Sequence, residues 1–358
     1  MQATYAALSH CWGTVLPVDT TKATIHTRMQ RISLEELPKT FREAIETVRE
    51  LNIQYLWIDT LYIIQDDDQD WKQEAARMHS VYRNAYIALA ATAASDCHVG
   101  LFHPFNSSYT LSDEGVQYAV RVASIHSITR PTPLQSRAWT MQEELLSGRV
   151  VYFGSPQLHW QCSSSYLSED GLVDYIPEWR ENWPIKNLTL LRSYEESIRK
   201  DRSTAYELWN GIIEQCSRRR ITFEKDLLPA LAGVASYFQD LIGDEPIIGL
   251  WRDQLIVGLT WKAQDGAQRA SAEMNMPSWT WVSISGGIKY NDLWMRFDEH
   301  GPYRAVAREK VVSLSVEWSG TSLTSPIHSI TLSIQGRLLR VILWSSITEK
   351  MKDVTIMP

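Results

Sequence analysis

The side chains best suited to chemistry fall in a few short stretches. Ser9-His10-Cys11 supplies two nucleophile types and a base, and Trp12 and Gly13 follow at once. Asp59 comes directly after the apolar run Tyr55-Leu-Trp-Ile58, and Tyr62 adds a phenol just beyond it. Glu143 stands four residues after Trp139. An acidic group straight after a buried strand costs desolvation unless it finds partners. Asp59 is therefore either a site residue or an acceptor bonded to nearby backbone amides. Adjacent side chains on a strand point to opposite faces, so Ser9, His10 and Cys11 cannot all face one site. Their alternative role is a turn that hydrogen-bonds itself. Gly13 suits a tight turn or a close approach to a ligand. Trp139 and Glu143, four apart, share a helix face and can meet one ligand. His10, Asp59, Tyr62 and Glu143 are thus the candidate acid–base groups, with Ser9, Cys11, Trp12, Gly13 and Trp139 as candidate ligand-binding residues.

These groups need elements to hold them. Tyr5 to Ser9 and Tyr55 to Ile58 read as short strands, and ligands of open α/β sheets bind at the carboxyl ends of strands. Between them, Phe41, Ala44, Ile45, Val48 and Leu51 recur at helical spacing behind Leu37-Pro38, as a helix start and apolar face require. A right-handed crossover then makes the two strands parallel. Asp66 to Asp70 precede Trp71, Ala75, Met78 and Tyr82. This acidic run suits a helix N-terminus, through capping and the macrodipole. Tyr86 to Thr92 reads as a third buried strand, closed by the small-residue loop Ala93 to Asp96. Residues 103–130 are polar, an insertion or a hairpin. Ser136 to Leu146 reads as a helix, then Val150–Phe153 and Leu158–Cys162 as a hairpin. Beyond residue 165 a polar loop over 166–190, helices over 194–216 and 226–241, and a β region from Trp279 are expected. Residues 1–165 are read as one α/β domain and 166–358 as an α+β region packed on it. The large apolar faces there, with Trp209, Trp251, Trp279 and Trp281, are too extensive to leave in water.

Composition narrows the class. The 358 residues are 44% hydrophobic, which supports a sizeable core, and the net charge of -7 argues against a nucleic-acid face. No apolar run is long enough for a membrane span, and no secretory signal opens the chain. Cys11, Cys97, Cys162 and Cys216 are scattered without zinc-ligand spacing. The expectation is a cytoplasmic protein with reduced thiols, no metal and no tightly bound cofactor, with a homo-oligomer left open.

Taken together, Ala7-Leu-Ser-His-Cys-Trp-Gly13, Leu37-Pro-Lys-Thr-Phe41, Tyr55-Leu-Trp-Ile-Asp59 through Ile64-Gln-Asp-Asp67, and Arg137-Ala-Trp-Thr-Met-Gln-Glu143 resemble the fungal heterokaryon-incompatibility (HET) domain. Tyr82-Arg-Asn-Ala-Tyr86 and Gly100-Leu-Phe102 fit the same pattern. The resemblance covers roughly residues 5 to 165, and later stretches such as Pro277-Ser-Trp-Thr-Trp281 look like the region that often follows. It implies a TIR/flavodoxin-like fold, a mainly parallel sheet flanked by helices, and a link to fungal self/non-self recognition and programmed cell death. Some TIR domains hydrolyse NAD with a glutamate in a Trp-Cys-x-x-Glu pattern. Trp139-Thr-Met-Gln-Glu143 keeps that spacing with Thr140 in place of Cys, which by analogy makes Glu143 the catalytic candidate and NAD a candidate substrate. Tyr62 departs from the family, which usually has Cys there.

Three functions stay open at this level. The chain could cleave a nucleotide such as NAD, with Glu143 acting on the ribosyl bond and Asp59 on a ribose hydroxyl. It could be a stand-alone cyclase, lyase or isomerase of secondary metabolism using His10, Tyr62, Asp59 and Glu143. It could be an interaction module without catalysis.

Overall fold

A computed structural model describes residues 3–13, 18–103, 108–113, 116–121, 132–155, 157–162, 165–169, 171, 201–290 and 310–335. Its centre is a six-stranded sheet. Strands β1 (Tyr5–Ser9), β2 (Tyr55–Ile58) and β3 (Ile87–Ala90) are joined by helices α1 (Ile25–Gln30), α2 (Lys39–Glu50), α3 (Asp59–Tyr62) and α4 (Asp68–Asn84). The backbone hairpin β4–β5 (Ser108–Asp113, Val116–Arg121) comes next. Helix α5 (Trp139–Leu146) and strands β6 (Arg149–Phe153), β7 (Leu158–Cys162) and β8 (Tyr166–Ser168) complete this part. The sheet order is β2-β1-β3-β6-β7-β8. The first four strands run parallel, while β7 and β8 return antiparallel. Chain order therefore reverses at β1, whose two neighbours β2 and β3 lie on opposite sides. In open sheets this is where a crevice forms outside the carboxyl ends.

Alternation along β1 divides the interior. Ala6 and Leu8 pack with Phe41, Ala44 and Val48 of α2, while Ala7 packs with Met78 and Tyr82 of α4. Helix α2 forms as its apolar spacing requires. Thr40 and Glu43 on it bind the backbone of the Gly100–Phe102 segment, with Gly100 N–H donating to Thr40 Oγ1 at 3.1 Å and Leu101 N–H to Glu43 Oε2 at 2.5 Å. The acidic run before α4 acts as a cap: Asp67 Oδ1 accepts from the Gln69 and Asp70 amides at 2.9 and 3.3 Å.

Helix α6 (Ser203–Cys216) and helix α7 (Leu227–Ile242) lead the second part of the chain, followed by short antiparallel ladders and a hairpin of 310–318 with 327–335. Met141, Leu145 and Leu146 of α5 belong to the same buried cluster as Trp209, Ile213, Leu231, Phe238, Trp251 and Trp281. The second part thus packs on the sheet layer through α4 and α5. The helix expected from 194 is described only from Ser203, and most of the expected 166–190 loop lies outside the described residues. Helix α5 starts at Trp139 rather than Ser136, because a 3-10 turn over Leu134–Ser136 comes first. Strand β8 was not anticipated: its three residues are too few to show alternation.

Helix α7 comes close to α4 and α5 at Gly233. A Cβ there would lie 2.3 Å from His79 Cβ on α4 and 2.9 Å from Gln142 Oε1 on α5. A Gly→Ala change inside a helix ordinarily gains about 1 kcal/mol. Here the overlap should dominate, so Gly233→Ala is expected to destabilise by about 1–3 kcal/mol in urea unfolding. A gain in stability would refute this packing.

Candidate functional site

The carboxyl ends of β1 and β2 bring two of the sequence candidates together. Asp59, the first residue of α3, is partly buried and well partnered. Its Oδ1 accepts the Thr60 amide at 2.7 Å, and its Oδ2 accepts the Trp12 indole N–H at 3.0 Å. The acceptor reading of Asp59 is what these bonds show: its carboxylate takes one backbone amide of α3 and the indole of the turn after β1. His10 Nδ1 lies 3.7 Å from Asp59 Oδ1. The ring is 2% exposed and meets Phe41 edge-on, with centroids 4.9 Å apart. Neither ring nitrogen has a hydrogen-bond partner among the described residues. Burial pushes the His10 pKa down to about 4 against the pull of Asp59, so the imidazole is neutral at pH 7.

Strand alternation separates the neighbours of His10, as expected. Ser9 turns to the α4–α5 side and lines a cavity there, and Cys11 packs with Trp57, Met78 and Tyr82. Cys11 is 5% exposed, and burial raises its thiol pKa, the opposite of what an activated thiolate needs. Gly13 has φ +79°, and a Cβ on it would sit 2.3 Å from Asp96 Cβ. Only glycine allows that turn to close on the loop after β3.

Glu143 projects from α5 into the α4–α5 side of the sheet and is 4% exposed. Desolvation raises its pKa to about 7, while Arg137 and the Ser9 hydroxyl pull it down and Asp59 pushes it up. Tyr82 also stands by the carboxyl. Its hydroxyl, which also donates to the Leu8 carbonyl at 3.0 Å, pulls the Glu143 pKa down. Ser9, Thr92, Thr140, Glu143, Glu144 and Tyr152 are among the residues lining a cavity of about 10 Å³. That is about the space of one water molecule, far too little for a nucleotide.

Trp139 sits at the start of α5 and meets Trp71 edge-on at 6.0 Å, bracing α5 against α4. Tyr62, at the end of α3, is 58% exposed, and its ring meets Trp57 with centroids 6.0 Å apart. Among the described residues no group of three His, Cys, Asp or Glu side chains could hold a metal ion, and no helix is long and apolar enough to cross a membrane.

In the sequence Arg137 stands out only as the first residue of the Arg137–Glu143 motif. In the structure Arg137 is the junction of the site. Its Nη1 donates to the His10 carbonyl, and its guanidinium lies 5.9 Å over the Trp12 ring. The second part of the chain holds this residue in place. The Ala138 amide donates to the Arg220 carbonyl at 2.9 Å, and the Arg220 amide donates to the Ser136 carbonyl at 2.6 Å. Arg219 donates to Thr140 Oγ1 at 3.2 Å and pairs with Glu144 at 3.5 Å, both side chains being at most 8% exposed. The role of Arg219 and Arg220 rests on long-range contacts, which no short stretch of sequence shows.

Residues 5–143 match the family model described as Heterokaryon incompatibility protein (HET), and this stretch of the chain carries that domain. The match begins at the first residue of β1 and ends at Glu143, so it contains His10, Asp59, Arg137 and Glu143 but neither Arg219 nor Arg220. No curated protein and no solved structure matches the chain.

Two predictions follow from burial. Glu143 has an unfolded pKa near 4.5 and a folded pKa of about 7. Folding therefore favours the protonated carboxyl, and its contribution, complete below pH 4.5, is lost as pH rises to about 7. The shift corresponds to about 3 kcal/mol. His10 has the opposite sign, so the variant is compared with the native protein at each pH. Glu143→Gln should gain stability relative to the native protein from pH 4.5 to 7 and level off above, by denaturant unfolding. A difference independent of pH would refute the buried, raised carboxyl. In the second, Arg219→Met strands the Glu144 charge and should cost about 3–5 kcal/mol. Adding Glu144→Gln should recover much of it in a double-mutant cycle, and strict additivity would show that the pair is not coupled.

Proposed function

We propose that the HET domain of this chain is an enzyme that cleaves the N-glycosidic bond of a nucleotide such as NAD, within fungal incompatibility or cell death. One observation carries the reading. A glutamate with a pKa of about 7 is buried at the carboxyl ends of parallel strands, beside a cavity with the volume of one water. A carboxyl poised near the working pH suits acid–base work. The parallel order β2-β1-β3-β6 supports a flavodoxin-like, TIR-like sheet, with the site at its switch point. Cys11, Cys97 and Cys216 are free thiols, which supports a reducing, cytoplasmic setting.

The chemistry is a hydrolysis. The nucleotide lies over the strand ends against the Ser9–Gly13 turn, outside the small cavity. Water held by Ser9, Thr92 and Glu143 forms a bond to the ribosyl carbon and gives its proton to ionised Glu143. The carbon–nitrogen bond breaks, and its electron pair leaves on the nicotinamide nitrogen, which becomes neutral. Asp59 keeps lone pairs beyond those used by Trp12 and Thr60, and these accept a ribose hydroxyl. Its charge also favours an oxocarbenium-like transition state. Tyr62 has no part in this step.

A small-metabolite enzyme is the second reading, favoured by the apolar wall that Ala88, Ala90, Leu134 and Val150 give the cavity. The two differ in what they consume. Purified protein incubated with NAD should release nicotinamide, followed by chromatography, and the rate should rise with pH through about 7 as Glu143 ionises. Glu143→Gln should lower that rate by about a hundredfold or more without lowering the melting temperature. Undiminished release by the variant would remove Glu143 from the mechanism. A metabolite extract depleted of one compound while NAD stays intact would favour the second reading.

A further inference from the structure

We infer that Arg137 is the anion-binding residue of this site and that the ligand class it selects carries a phosphate on the ribosyl group; this deepens the nucleotide reading and rests on it. The guanidinium has five N–H donors. One is used by the His10 carbonyl. No described carboxylate lies within ion-pair distance, although Arg137 acts electrostatically on both His10 and Glu143.

The carboxylates nearby are otherwise engaged. Asp59 has one oxygen on the Thr60 amide and the other on the Trp12 indole. Glu143 is close to half protonated at pH 7. A partly buried guanidinium without a carboxylate partner is costly, and the Trp12 face at 5.9 Å offsets only part of that cost. An anion at the strand ends would offset the rest. A planar fork binds phosphate in two-point fashion, which a lysine cannot reproduce.

The fork is also held ready. The Arg137 amide donates to the Leu134 carbonyl at 3.1 Å, and its carbonyl accepts from Thr140 Oγ1 at 2.9 Å and from Arg219 at 3.4 Å. A charged group fixed by its own backbone loses little entropy when a ligand arrives. A residue that merely braced the His10 carbonyl would need one donor and no particular ligand.

The test measures binding, so it does not depend on turnover. The full chain is titrated calorimetrically with ADP-ribose, inorganic pyrophosphate and adenosine. ADP-ribose and pyrophosphate should bind, with adenosine at least tenfold weaker than ADP-ribose. Arg137→Gln should weaken ADP-ribose about ten- to a hundredfold, the worth of a charge-assisted contact, and leave adenosine unchanged. Arg137→Lys keeps the charge and serves if the Gln variant does not fold; it should weaken ADP-ribose severalfold with adenosine again unchanged. Equal losses for adenosine and ADP-ribose, no loss for either, or no binding of either phosphate compound by the native protein would each overturn the assignment. Selective phosphate binding by a protein that never releases nicotinamide would leave Arg137 its role and refute the hydrolase instead.

Discussion

An eight-residue helix is too short to persist in water by itself, and α5 exists because both of its sides are buried. Met141, Leu145 and Leu146 sink into the core built by α6 and α7, while Glu143 faces the sheet. The helix cannot turn about its axis without exposing one set or burying the other wrongly. The same packing therefore builds the joint between the two parts of the chain and aims the carboxyl. Gly233 lets α7 come close enough for this, and the buried Arg219–Glu144 pair ties α5 to the chain after α6.

The chemistry of the site follows from how much water that packing excludes. Glu143 is raised because its charge would sit in apolar surroundings between α5 and the sheet, and His10 is lowered for the same reason on the opposite face. Burial thus leaves two groups, on either side of β1, with opposite departures from their ordinary values. Arg137 and Asp59 lie across the end of the strand, where the faces meet. Arg137 touches the His10 backbone and the Trp12 ring, and Trp12 in turn binds Asp59. A change in any one is felt by the others through short contacts, a condition for groups that act together on one ligand.

The structure ties the end of the matched stretch to the chain that follows it. The matched stretch ends at Glu143, yet the backbone before α5 is bonded to Arg220, some eighty residues later. A domain boundary drawn after the last strand of the sheet would cut these bonds. The second part of the chain is a support for the site as well as a neighbour of it.

Much of this architecture could be read from residue order. Helical spacing behind Leu37-Pro38, the acidic cap at Asp67 and the apolar runs at Tyr55 and Tyr86 are local signals, and they determined the helix–strand alternation and hence a parallel sheet. Alternation on β1 likewise implied that Ser9 and His10 face different ways. Asp59 was legible as a candidate because a carboxylate straight after an apolar run is anomalous, and Glu143 because it stands four residues after Trp139 in a pattern resembling the TIR glutamate. Other outcomes depended on contacts between distant residues. Tyr62 ends the short helix α3 and is left largely exposed on the Trp57 ring, an exposure that had no local sign. Arg137 gained its place from a strand end 127 residues earlier and a backbone partner far downstream. The pKa values of Glu143 and His10 were decided by burial, which is a property of the assembled core and not of any short stretch of chain.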